Sequence, residues 1–348
     1  MAGDGGKLFA EYLAKKRPQI EDHIARFTPR PEDNTAHVAV DLMKYLYEPL
    51  TRFTAAGGKR TRPALCLLGA EAVGVDPICA LSTAVAIEYF QSAALIHDDI
   101  ADKSELRRGK PCLHVTDGVG LAINAGDLAL VQVMSGLLVD GSLEDSTCLR
   151  LLCEIAYMQQ RTLEGQALDL GWVRDERWDI SVEDYLHMAT CKTAYYSAAT
   201  PLACGAICGG GTDEQIDALF SFGMDAGLAF QLQDDLLNLV GDPDEQGKDF
   251  RSDITEGKRT MAALWALEHL AGAERTELQG ILSSGTTDAA QQARAVELME
   301  DSGAIDAVRA KAQALVASAR QSLPDELIND KARDTLFSMA DFFIERAD

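Results

Sequence analysis

Residues 80–102 read ALSTAVAIEYFQSAALIHDDIAD. From Ala80 to Ile100 apolar residues recur on nearly every side of a helical projection, and no strand-like alternation appears. A helix that is hydrophobic all round belongs in the middle of a bundle. The stretch therefore predicts one long central helix that ends in acid, at Asp98, Asp99 and Asp102. The segments from Leu149 to Leu170, Glu183 to Cys208 and Glu214 to Val240 show the same helical period. From Met261 onward, helical stretches alternate with polar turns such as Ser283 to Asp288. Breakers separate these segments at Pro29 to Asn34, Arg107 to Pro111, Gly209 to Gly211 and Gly241 to Gly247. No Ser-, Gly- or Pro-rich linker divides the 348 residues. The reading is a single all-α domain over residues 1–348, with ten or more helices arranged as a bundle.

The chain carries 32 Lys+Arg against 55 Asp+Glu, a net charge of -23, which argues against nonspecific binding to nucleic acid or anionic lipid. It leaves room for a small anionic ligand held by local cations, because exposed charge is screened beyond about 8 Å. Met1 to Lys16 is polar and charged, so no secretory signal is expected. No apolar run of about 18 or more residues is evident, so no stable membrane insertion is expected. The eight cysteines form no CxxC pair, which argues against a zinc site. Most, such as Cys66 and Cys153, sit in apolar company, and Cys204 and Cys208 share a helical face as small packing residues. Reduced thiols and a cytoplasmic location fit this usage.

The chemistry sits where apolar helices turn acidic. Asp98 and Asp102 are four residues apart and so share a face. Two carboxylates there repel each other at the end of an apolar helix, and a cation resolves the conflict. Magnesium suits such a site, since it takes one or two carboxylates and completes its shell with water and phosphate oxygens. A solvated helix end is the competing reading of this motif alone. The motif has an echo: Asp98-Asp99-Ile100-Ala101-Asp102 returns as Asp234-Asp235-Leu236-Leu237-Asn238, again after an apolar run. Two facing clusters could hold several ions around one diphosphate and neutralise it as a carbon–oxygen bond breaks. Bases accompany them in Gly57-Gly58-Lys59-Arg60-Thr61-Arg62-Pro63, Arg107-Arg108, Lys192-Thr193, Lys248-Asp249 and Lys258-Arg259-Thr260. Arginine offers phosphate a planar fork and lysine a point charge.

From Gly57 to Thr260, in motif order, the sequence resembles the trans-isoprenyl diphosphate synthases, or polyprenyl synthetases. The resemblance implies an all-helical isoprenoid synthase-type bundle around a deep central cavity, a homodimer, and magnesium with three ions per site, manganese being the alternative. It implies a prenyltransferase that joins isopentenyl diphosphate to an allylic diphosphate, with geranylgeranyl diphosphate as product. Asp98, Asp102 and Asp234 then match metal ligands, supported by Asp99 and Asp235. Lys59, Arg62 and Arg108 match a clamp on isopentenyl diphosphate, aided by Gln91. Arg107, Lys192, Lys248 and Lys258 match contacts to the allylic diphosphate. Thr193 and Gln231 match oxygen dipoles beside the developing cation, so Lys192, Thr193, Gln231 and Lys258 carry the catalytic step. Gln166 and Asp169 resemble a supporting motif lining the cavity, with a plain helix-surface role as the competitor. His97 is not needed as a base and reads as a packing or hydrogen-bonding residue.

Product length is read from the helix before Asp98. Ala93 and Ala94 are small where relatives that stop at farnesyl length carry aromatic rings. Tyr89 and Phe90, one turn or about 5.4 Å further down, would form the floor. The alternative is that both rings point into the bundle core and longer products form. The chain departs from the family pattern at Asn238, where many relatives have Asp, and at Gln91, which often corresponds to His. It departs again at Phe250-Arg251-Ser252 and Met261-Ala262, in the segments around the substrate. A class I terpene cyclase and a non-catalytic subunit of a heteromeric synthase are the rivals. The isopentenyl clamp argues against the first, and the presence of both aspartate motifs argues against the second.

Overall fold

A computed structural model of the chain describes residues 5–241 and 250–345. The central helix is α3, Leu81–Ala101, and α1, Lys7–Arg26, and α2, Thr61–Ala72, precede it. A single 3-10 turn at Pro77–Ala80 leads into α3, and the Asp76 carboxylate caps it by accepting the Ile78 N–H at 3.0 Å. From Ser82 to Phe90 every side chain of α3 is buried. This is the all-round burial that its sequence predicts.

After α3, Leu106–Arg107 and Lys110–Pro111 pair as a two-residue antiparallel ladder, β1 and β2. The expected breaker at Arg107 to Pro111 is thus a small hairpin. Next come α4, Val119–Leu138, and α5, Asp145–Arg174. The expected helix from Glu183 to Cys208 is one helical run in three parts: α6, Val182–Ala189, a stretch of wide π-type turns at Thr190–Ala199, and α7, Thr200–Cys208. Pro201 has no N–H to bond the carbonyl four residues back, so the regular ladder cannot run through this junction. Such wide turns often mark functional positions, and these carry Lys192 and Thr193.

The second acidic helix is α8, Asp213–Val240. Thr212 and Gln215 start it with a reciprocal capping box, each side chain accepting the other's backbone N–H, at 3.2 and 3.0 Å. Then follow α9, Met261–His269, α10, Ala304–Gln321, and α11, Asp330–Glu345, with shorter helices between α9 and α10. In the bundle α3 lies along α4, α2 crosses α7, and α8 packs on the π-type segment and α10. This packing brings the C-terminal ends of α3 and α8 to one cavity.

By length and composition two helices are apolar enough to cross a membrane, Pro77–Ala101 and Val119–Leu138. The first is 67% buried and packs as the bundle's centre, whereas the second is only 39% buried.

Candidate active site

A cavity of about 830 Å³ opens between the ends of α3 and α8. Asp98 and Asp102 line it from α3, Asp234 and Asp235 from α8, and Lys192, Thr193, Gln231 and Lys258 complete the wall. Asp99 is not on the wall. It is buried and binds Arg107, whose Nε donates to Oδ1 at 2.8 Å, with a second contact from Nη2. Its other oxygen, Oδ2, is buried without a hydrogen-bond partner.

Lysines stand against the first cluster. Lys192 Nζ donates to Asp169 at 2.6 Å and lies 3.9 Å from Asp98. Burial opposes its charge, but Asp169 and Asp98 outweigh burial and hold its pKa above the ordinary lysine value. Lys258 Nζ lies 3.2 Å from Asp102, 2.7 Å from Glu256 and 3.9 Å from Asp253. Burial, opposed by Lys258 and reinforced by Asp98, pushes Asp102 up to about 6. Gln166 donates to Asp98 at 2.9 Å. The motif containing Gln166 and Asp169 is therefore part of the site rather than a helix surface. The backbone makes this possible at Gly165: a Cβ there would stand 2.2 Å from the Lys192 backbone nitrogen.

The second cluster is held differently. Asp235 accepts from the Tyr185 hydroxyl and, at 2.7 Å, from the Gln231 amide. Gln231 accepts in turn from Thr193 at 2.6 Å. Burial, reinforced by Asp253 and opposed by these hydrogen bonds, pushes Asp235 up to about 7. Asn238 donates to Ser252 at 3.1 Å and accepts the Asp253 N–H at 3.1 Å, so it ties α8 to the segment that leads to Lys258.

A cationic corner adjoins the carboxylates. Arg62, Gln91, Arg107 and Arg108 line the cavity. Arg62 donates to Ser197 at 2.8 Å and stacks 4.3 Å from the Tyr196 ring centroid. Arg108 donates to the Gly57 carbonyl, which joins the hairpin to the glycine turn. Burial lowers the Arg108 pKa; Glu88 opposes this, and Arg60, Arg107 and Arg62 add to it. An anion here relieves that repulsion. Lys59 is the exception: it is not on the cavity wall, and its ammonium stands 5.8 Å from the Phe342 ring centroid. Lys248 lies outside the described residues.

The four positions offered as the tail floor separate, and none is on the wall of this cavity. Tyr89 is nine residues from Asp98, about two and a half helical turns, so it faces the opposite side. Its hydroxyl donates to the Phe27 carbonyl at 3.2 Å. Ala93, five residues away, is fully buried and also well off the Asp98 face. Ala94 shares that face and is half-buried. Phe90 packs edge-on against Tyr196 with ring centroids 5.8 Å apart. His97 packs as expected, its Nε2 standing 3.4 Å from the Ile123 carbonyl and 3.4 Å from Asp127.

Sequence reasoning missed Tyr185, Asp253 and Glu256. Tyr185 carries no motif signal, whereas Asp253 and Glu256 lie just before Lys258 and could have been paired with it. Among the described residues, no three Asp, Glu, His or Cys side chains converge to enclose an ion by themselves. The donor set still fits magnesium, which takes one or two carboxylates and leaves its other positions to water and phosphate.

The family model for polyprenyl synthetase matches residues 43–299. The chain belongs to the polyprenyl synthetase family. It is an enzyme of the trans-prenyltransferase class. It is 42% identical over 330 residues to a short chain isoprenyl diphosphate synthase of Methanothermobacter thermautotrophicus, covering 94% of this chain and 99% of that one. It is 39% identical to a geranylfarnesyl diphosphate synthase of Natronomonas pharaonis, over 96% of this chain and 97% of that one. Among solved structures it matches a geranylgeranyl pyrophosphate synthase of Corynebacterium glutamicum, complexed with isoprenyl diphosphate and magnesium. That match has a TM-score of 0.86 and 31% identity, covering 95% of this chain and 99% of that one.

Proposed function

We propose that this prenyltransferase joins isopentenyl diphosphate to dimethylallyl, geranyl or farnesyl diphosphate and releases a longer linear trans-prenyl diphosphate. The observation that carries the reading is one cavity lined by Asp98, Asp102 and Asp234 together with Lys192 and Lys258. Magnesium, with three ions per site, is the cofactor, held by Asp98, Asp102 and Asp234 with Asp99 and Asp235 behind them; manganese suits the same oxygens. When bound, it supplies Lewis-acid neutralisation of the leaving diphosphate.

The chain's own groups do the rest. Lys192 and Lys258, joined by Arg107, hold fixed positive charge where the allylic C–O bond breaks and its electron pair leaves with diphosphate. Thr193 and Gln231, already hydrogen-bonded to each other, present oxygen dipoles to the allylic cation. Arg62, Arg108 and Gln91, with Lys59 swung in from Phe342, hold isopentenyl diphosphate. Its double bond forms the new C–C bond, and the proton it sheds goes to a released diphosphate oxygen. No side-chain base is required.

The product is geranylgeranyl diphosphate. Ala94 is small on the turn below Asp98, and the buried Phe90, braced on Tyr196, stands one turn further down as the floor of a tail that enters there. The test is product chromatography after incubating the purified chain with magnesium, isopentenyl diphosphate and each primer. A geranylgeranyl product supports the reading. Hydrocarbon from geranylgeranyl diphosphate alone points to a cyclase, and no product from the chain alone points to a partner subunit.

The enzyme acts as a homodimer in the cytoplasm. Ile123, Val131, Met134 and Leu138 on α4 are exposed at helical spacing, as are Leu149, Tyr157, Leu163 and Leu170 on α5. Leu138 and Leu163 are each 66% exposed, which a second copy of this chain would correct. No disulfide joins cysteines among the described residues, which suits a reducing compartment. Light scattering should give a dimer and Leu163→Glu a monomer. A monomer that instead binds lipid vesicles through this face would overturn the assignment.

A further inference from the structure

Two stretches share a pattern of which the chemistry above uses only the lysines. Gly58-Lys59-Arg60-Thr61 and Gly257-Lys258-Arg259-Thr260 are each followed, two residues on, by Ala-Leu, at Ala64-Leu65 and Ala263-Leu264. Each opens a helix, α2 at Thr61 and α9 at Met261. Each glycine has positive φ, +138° at Gly58 and +64° at Gly257. A Cβ on Gly257 would also stand 2.7 Å from the Leu282 carbonyl oxygen. Lys258 lines the cavity with Arg259 beside it, yet both arginines are almost fully buried, Arg60 3% and Arg259 4% exposed.

Arg60 grips three separate parts of the bundle. Its fork donates to both oxygens of Glu21 on α1 at 2.9 and 3.0 Å, to Glu88 on α3 at 2.5 Å and to the Thr54 carbonyl at 2.6 Å. It does so from φ +52°, a conformation that residues with side chains rarely adopt. Its own carbonyl accepts the Ala64 N–H at 3.1 Å and starts α2, which places Arg62 on the cavity wall. Arg259 is held by the chain around Arg177 and Trp178. It donates to the Arg177 carbonyl at 2.8 Å and to the Gly257 carbonyl, and its guanidinium lies 3.9 Å from the Trp178 ring centroid. The Lys258 N–H bonds the Asp253 carbonyl at 2.9 Å, and Thr260 accepts the Ala263 N–H at 3.3 Å. The turn is fixed on both sides of the lysine.

We infer that Arg60 and Arg259 are positioning residues. Each anchors a Gly-Lys-Arg-Thr turn to the surrounding helices so that the neighbouring cation, Arg62 or Lys258, stands where a diphosphate is held. Each acts on one substrate: Arg60 on isopentenyl diphosphate and Arg259 on the allylic diphosphate. The inference rests on the two clamps proposed above. A lysine in place of either arginine keeps the charge but cannot reproduce a planar fork engaged with several acceptors.

The experiment is steady-state kinetics with isopentenyl and geranyl diphosphates for the unsubstituted enzyme, Arg60→Lys, Arg259→Lys and Glu21→Gln. Thermal unfolding is measured alongside. Arg60→Lys should raise the KM for isopentenyl diphosphate by about tenfold to a hundredfold, as small misplacements do. The KM for geranyl diphosphate should stay within about twofold. Glu21→Gln, remote from both substrates, should shift the same KM in the same direction. Arg259→Lys should give the converse, a weakened geranyl KM or kcat with an unchanged isopentenyl KM. If the variants lose thermal stability while both KM values stay put, or if both rise in parallel, the arginines only support the fold and the inference is overturned. An unsubstituted enzyme that joins no diphosphates overturns the functional reading itself, and the inference with it.

Discussion

At the end of α3, Asp99 is bound to the Arg107 guanidinium, and lysine ammonium groups stand 3.9 Å from Asp98 and 3.2 Å from Asp102. On α8 the corresponding Asp235 has a tyrosine hydroxyl and a glutamine amide, and Asn238 ties down the segment at Ser252 and Asp253. Asp99 is held by an ion pair and its counterpart Asp235 by neutral hydrogen bonds. Even with Lys258 beside it, burial pushes Asp102 in the first cluster up to about 6. Beside its neutral donors, the buried Asp235 is pushed up to about 7.

The largest expected effect treats the two clusters alike. Asp98→Ala and Asp234→Ala should each lower turnover by about a hundredfold or more, the scale of removing one transition-state charge contact. Rates at saturating magnesium check this, and near-normal turnover in both variants would remove the metal assignment.

The next effect separates the clusters by stability. Asp99→Asn leaves Arg107 buried without its charge partner and should cost about 3–5 kcal/mol. Tyr185→Phe removes one hydrogen bond to Asp235 and should cost about 1–3 kcal/mol. Denaturant unfolding of both variants decides the matter, since equal losses would erase the contrast between paired and hydrogen-bonded carboxylates.

A third test acts on α3 alone. Ala94→Phe fills the turn below Asp98 and should shift the main product from geranylgeranyl to farnesyl diphosphate, with only a small change in rate. An active variant with an unchanged product would show that this face does not line the tail. Tyr89→Ala, on the opposite face, should leave product length alone. Phe90→Ala should lengthen it.

The smallest expected effect is Asn238→Asp. The new carboxylate keeps an acceptor for the Asp253 N–H and loses the donor to Ser252. The magnesium concentration for half-maximal rate should fall, by less than about tenfold for one added outer charge. A rise would mean that the tie to Ser252 matters more than the charge.

The α class, the central helix and the acidic ends of α3 and α8 were all legible in the letters. Apolar periodicity and local i,i+4 spacing are properties of one segment, so they need no knowledge of its neighbours. The basic positions Arg62, Arg107, Arg108, Lys192 and Lys258 were found the same way, through residue type and motif order. Tertiary structure decided what each charge meets. Asp99 and Asp98 are adjacent in sequence, yet one turns to Arg107 and the other to the cavity, because neighbouring residues on a helix point about 100° apart. Tyr89 was assigned to the tail on distance along the chain, and only the packing of α1 against α3 sends its hydroxyl to Phe27. Tyr185 reaches Asp235 across 50 residues, and Arg60 joins Glu21, Thr54 and Glu88 from three segments. Contacts of that kind depend on how whole helices are placed, and no local pattern of residues encodes that placement.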